Sequence, residues 1–173
     1  MSQQPLLDEP RLAYQIIVTA PGTKSQNWHG VLYDQKGEPV TIAAGATVKT
    51  GVGVFVGVPE DRPFHPFGAI HADTIAWMKT AQGNVIMDTE PWAYRLHVGA
   101  EGSKNEGWQG ELLHGRGVVG PQPGKFETPM GPFIWLERTH PWGLGGWFHA
   151  SWSAAQRQAP AQRQAPAKQS GAA

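Results

Sequence analysis

The chain contains no cysteine. That excludes disulfides, thiolate-held zinc, iron–sulfur clusters and thiol catalysis. Charge is scarce too. Asp, Glu, Lys and Arg make up 16% of the 173 residues, and the formal net charge is +0. Without a concentrated field of Lys and Arg there is little to hold a phosphate backbone, so nucleic acid is not an expected partner. No apolar run approaches the roughly 18–20 residues that span a bilayer, so no membrane partner is expected. The opening MSQQPLLDEPRL lacks a basic segment followed by an apolar one, as a secretory signal would require. A cytoplasmic location follows as the expectation. Long stretches of helical periodicity are missing as well, which points away from a helical fold.

What is present is turn-forming and aromatic. The 22 glycines and 15 prolines exceed a fifth of the chain, and there are 8 tryptophans. The sequence also repeats itself. AYQIIVTAPGTKSQNWHGVL starts at Ala13, and AYRLHVGAEGSKNEGWQGEL starts at Ala93. Tyr14/Tyr94, Val18/Val98, Gly22/Gly102, Lys24/Lys104, Trp28/Trp108, Gly30/Gly110 and Leu32/Leu112 match without a gap. Further on, Thr50, Gly53 and Phe55 fall on Thr128, Gly131 and Phe133. HPFG (His65 to Gly68) resembles HPWG (His140 to Gly143), and His71 and His149 close the two series.

Period-two alternation marks strands in both copies. Tyr14, Ile16 and Val18 face one way, as do Tyr94, Leu96 and Val98. VLYDQKGEPVTI reads as a hairpin turning at Asp34–Gly37, and ELLHGRGVV as one turning at His114–Gly117. In KTGVGVFVGV the valines form one row, with Phe55 among glycines on the other. Glycines inside a strand mark close approach of another backbone, a bend or a ligand. IAWMKTAQGNVIMD reads as a further hairpin turning at Ala81–Asn84.

The expected fold is therefore all-β. It consists of two tandem repeats of about 80 residues, related by a pseudo-twofold axis and forming a sandwich or barrel-like pair with four or five strands per half. The expected boundaries are a flexible lead-in over 1–10, repeat 1 over 11–90, repeat 2 over 91–152, and a disordered tail over 153–173. In that tail AQRQAP appears twice and offers no apolar face to bury.

Candidate chemistry is thin. Trp28, Trp108, Phe55 and Phe133 read as core plugs, large rings set near glycines. His65 and Phe67, with His140 and Trp142, sit in turn sequences that suit contact with a ligand or partner. Lys24 and Lys104 hold the same place in the two copies of a polar turn, as a shared contact or as solubility residues. No HxH or HExxH spacing is present, nor the paired histidines and glutamate of a cupin-type site, and no metal or other cofactor is expected. A cluster of His65, His71 and Asp73 is conceivable, but Ser151 stands where Asp73 would align. There is no G-x-S-x-G elbow, and GVGVFVG lacks the GK[ST] ending of a phosphate loop.

The reading that follows is a non-enzymatic β-module that binds a protein partner through loops and aromatic anchors. Two alternatives remain. One is a lectin-like carbohydrate-binding module with two similar sites, since sugars stack on exposed rings. The other is a hydrolase or metal-dependent enzyme using one half.

Overall fold

A computed structural model describes residues 11–61, 63–80, 86–99, 107–137 and 144–152. The stretches 1–10 and 153–173, expected to be loose, lie outside the described residues, as does the turn expected at Ala81–Asn84.

The first half contributes β1 (Arg11–Thr19), β2 (Asn27–Tyr33), β3 (Pro39–Val40), β4 (Thr47–Thr50), β5 (Gly53–Val58), β6 (Pro66–His71) and helix α1 (Ala72–Thr80). The second contributes β7 (Trp92–Gly99), β8 (Gly107–His114), β9 (Gly117–Val118), β10 (Lys125–Thr128), β11 (Gly131–Leu136) and β12 (Leu144–His149). All twelve strands join one mixed sheet in the order β10-β11-β12-β8-β7-β1-β2-β6-β5-β4, with β3 on β2 and β9 on β8. The β2–β6 and β8–β12 pairs are parallel and the rest antiparallel.

The protein is thus mostly β, as expected, but the sheet is open, with β4 and β10 at its ends, rather than a sandwich or closed barrel. Among the described residues each half has six strands, not four or five; the excess includes the two-residue strands that close the hairpins at Asp34–Gly37 and His114–Gly117.

The sheet must curl, because rings from strands far apart in its order touch. Tyr14 on β1 lies 4.6 Å from Phe55 on β5, and Tyr94 on β7 lies 5.0 Å from Phe133 on β11. Trp152, just past β12, sits 6.0–6.2 Å from Tyr14, Phe55 and Tyr94. These rings belong to a single apolar core drawn from both halves. Alternation along β1 sets it up: Tyr14, Ile16 and Val18 are buried while Ile17 is exposed.

Two glycines allow the parallel crossings. A Cβ on Gly30 would run into the Ala69 carbonyl oxygen and lie 2.6 Å from Tyr14 Oη; one on Gly110 would meet the Trp147 carbonyl oxygen and lie 2.6 Å from Tyr94 Oη. The tyrosine hydroxyls use this space to donate to those same carbonyls, Tyr14 to Ala69 at 2.6 Å and Tyr94 to Trp147 at 2.8 Å. Burial raises the pKa of both phenols, so they remain donors.

The hairpin expected from IAWMKTAQGNVIMD is not formed. Its first residues belong to α1, which has Asp73 in its first turn and Lys79 in its last, complementing the helix dipole. The His71 ring starts the helix, its Nδ1 accepting the Asp73 N–H at 3.1 Å. At nine residues α1 is too short to show a clear 3.6 period, and it is held by tertiary contacts instead.

Candidate functional site

A cavity of about 880 Å³ opens mostly in the first half, between β1, the end of β2, β4 and the β4–β5 turn, and is completed from the second half by β7 and the start of β8, which supply Leu96, Val98, Gly99 and Trp108. Its floor is buried: Tyr14, Leu32, Val52, Phe55 and Leu96. Its walls are Leu12, Val40, Val48 and Val98 with two half-buried rings, Tyr33 and Trp108. The rim is polar, with Asp34, Gln35, Lys36 and Lys49 exposed and Arg11 half-buried. The exposed Gly51 lets the β4–β5 turn lie against Trp108, since a Cβ there would be 2.8 Å from the indole Cζ2.

Local hydrogen bonds fix the rim. The Asp34 carboxylate accepts the N–H groups of Lys36 at 2.8 Å and Glu38 at 3.0 Å, which closes the β2–β3 turn. The Arg11 guanidinium donates to the Gln35 carbonyl. Tyr33 donates to Gln15 Oε1 at 3.2 Å, across from β2 to β1.

The corresponding positions of the second half carry large rings. The eighty-residue offset makes Leu12 the counterpart of Trp92, and strand register makes Val48 the counterpart of Phe126, Gly57 of Trp135, and Ala69 of Trp147. The four second-half rings form a continuous run of tilted and edge-on contacts, with Trp92–Phe126 at 6.0 Å, Phe126–Trp147 at 5.4 Å and Trp135–Trp147 at 5.5 Å. In the first half the backbone of Ile42 and Ala43 crowds against Gly57.

The two late histidines make a different constellation. His149 is fully buried; its Nε2 faces the Met130 carbonyl at 2.9 Å, and its Nδ1 accepts from the Ser151 N–H at 3.2 Å and pairs with Ser151 Oγ at 2.8 Å. An accepting Nδ1 and a carbonyl at Nε2 require the neutral ring with its proton on Nε2. Burial pulls its pKa down to about 4, with the nearby His71 adding to the effect. The chain continues through Thr74 Oγ1, 2.8 Å from Ser151 Oγ, which accepts from Trp152 Nε1 at 2.9 Å. His71 repeats the plan, with Nε2 2.7 Å from the Val52 carbonyl and Nδ1 on the Asp73 N–H. Its pKa is also lowered, by burial against the Val52 bond and Asp73. A serine beside a histidine has the form of a nucleophile and base. Here Nδ1 accepts the Ser151 N–H as well as facing its Oγ, Nε2 is held by the Met130 carbonyl, and burial leaves the imidazole a weak base.

The sequence-predicted residues fall as follows. Trp28 is buried and stacks on His149 at 6.0 Å; Phe55 and Phe133 are fully buried; Trp108 is half-buried in the cavity wall. Lys24 is exposed in its turn. His65 Nδ1 faces the Pro63 carbonyl at 3.2 Å. Phe67 stacks on His29 at 4.5 Å with ring planes 1° apart. His71 and Asp73 are neighbours, with Nδ1 3.8 Å from Oδ2. Among the described residues no three His, Cys, Asp or Glu side chains gather as a metal site. Lys104, His140 and Trp142 lie outside the described residues.

The HPFG and HPWG correspondence shifts by three residues. Pro66 pairs with Trp28 and Leu144 with Trp108, so Gly145 stands where Phe67 does, and HPWG precedes β12. Sequence reasoning missed the cavity residues Arg11, Tyr33, Lys36 and Lys49. A signal was there: Leu12 against Trp92 and Val48 against Phe126 are size mismatches within otherwise matched copies. No protein-family model, curated protein or solved structure matches the chain.

Proposed function

We propose that the protein is a non-enzymatic β-module built from two tandem repeats about a pseudo-twofold axis, and that its first repeat binds a small ligand in the open cavity. The repeat reading is supported by contacts that recur in kind: the tyrosine over a glycine, the histidine on a carbonyl, and the Thr50–Gly53 and Thr128–Gly131 turns, closed at 2.8 and 2.9 Å. The observation that carries the binding reading is the cavity itself. Its 880 Å³ lies within the roughly 300–1,000 Å³ of small-molecule sites. It joins an apolar floor to a polar rim, and its wall residues Leu12 and Val48 correspond to the larger Trp92 and Phe126 of the second repeat.

The test is a thermal-shift screen of the full chain against neutral oligosaccharides, aliphatic and aromatic acids, and amines. The comparison protein is Val48→Phe, which introduces the ring that Phe126 supplies in the second half. At least one ligand class is expected to raise the Tm of the wild type and not of the variant. Equal shifts in both proteins, or none in the wild type, would overturn the reading. A protein partner is a second reading, favoured by the half-exposed Phe67–His29 stack beside β2 and β6. Loss of partner capture in Phe67→Ala, with unchanged Tm, is its expected signature.

A further inference from the structure

We infer that the cavity of the first half takes an amphipathic carboxylate, its apolar body on Val48, Val98 and Trp108 and its head group between Lys36, Lys49 and Arg11. This rests on the binding reading above and names the ligand class. Two observations carry it. The first is the polarity gradient, from a fully buried apolar floor to an exposed rim. The second is charge. The chain as a whole is neutral, yet the cavity is lined by three cations and one anion. That anion, Asp34, is occupied by the N–H groups of its own turn. Among the described residues, no carboxylate makes an ion pair with Arg11, Lys36 or Lys49. An anionic head at the rim would meet cations already placed around it, and an apolar tail would displace water from the floor. A cationic ligand would meet like charge at the same rim.

The experiment is isothermal titration of the full chain with dodecanoate and dodecyltrimethylammonium, each below its micelle concentration, and with dodecanol below its solubility limit. Dodecanoate is expected to bind at least about tenfold more tightly than the other two. A rim-exposed ion pair is worth up to about fivefold in affinity, so Lys36→Gln with Lys49→Gln should weaken dodecanoate by about tenfold and flatten its salt dependence. Val48→Phe should abolish binding. If all three probes bind alike and Val48→Phe still blocks them, the carboxylate inference fails while the binding reading stands. If none binds and the wider screen is also silent, both fail. The segment preceding Arg11 contains Leu6, Leu7, Asp8 and Glu9. If removing residues 1–9 tightens dodecanoate binding more than tenfold, the cavity belongs to that segment and the small-molecule assignment is wrong; unchanged affinity is expected.

Discussion

The first and second halves use the same strand plan and differ in how they fill it. Where the second half places Trp92, Phe126, Trp135 and Trp147, the first has Leu12, Val48, Gly57 and Ala69. The four rings contact one another, whereas Leu12 and Val48 line a cavity of about 880 Å³. The contacts that define the framework are kept in both: Tyr14 and Tyr94 on their carbonyls, His71 and His149 on theirs. Side-chain volume at a few interior positions separates a packed region from a receptive one, while the backbone hydrogen bonding stays the same.

That contrast can be attacked most strongly from the side of the rings. Trp147 is fully buried and donates to the Val119 carbonyl at 2.9 Å. Trp147→Ala should cost about 3–5 kcal/mol, the usual range for an aromatic truncated in a core, read as a lower urea midpoint. Val40→Ala, in the wall of the open cavity, should cost far less, and similar losses from the two would dissolve the distinction.

The buried histidine provides the next largest effect. The pKa of His149 is about 4 in the fold against 6.5 for the free group. The unfolded chain therefore takes up a proton first as pH falls. Stability is complete above pH 6.5 and drains away between 6.5 and 4, by about 3 kcal/mol in all. Urea unfolding at pH 7.5, 5.5 and 4.0 checks this. His149→Gln should flatten the decline more than His71→Gln does, and equal flattening would put the two rings on the same footing.

A smaller effect tests what the halves share. Gly30→Ala and Gly110→Ala each push a methyl into a carbonyl and a tyrosine hydroxyl. Each should cost about 1–3 kcal/mol, the range for overpacking, with the same sign in both halves. A cost in only one would mean that the crossings are not equivalent. Smallest of all, Val48→Phe should change stability by less than about 1 kcal/mol, since it fills open space without displacing packed atoms.

Much of the framework was legible in the chain because it is local. Alternation of Tyr14, Ile16 and Val18 with Gln15, Ile17 and Thr19 placed β1 and its buried face, and Asp34 to Gly37 carry their turn in their residue types. The helix was not legible, because its stability comes from long-range packing: Trp77 against His149 at 5.2 Å and Thr74 on Ser151. The three-residue shift between HPFG and HPWG was hidden because register is set by the partner strand, through Pro66 on Trp28 and Leu144 on Trp108. The cavity depends on β1, β4, β7 and β8 meeting, which no window of sequence contains.

The most direct measurement is an NMR titration of indole ¹⁵N–¹H signals in the full chain with dodecanoate. Trp108 is expected to shift because it lines the open cavity, while Trp92, Trp135 and Trp147 stay in place. Movement of those three with Trp108 unchanged would contradict the account, as would a titration in which no indole responds.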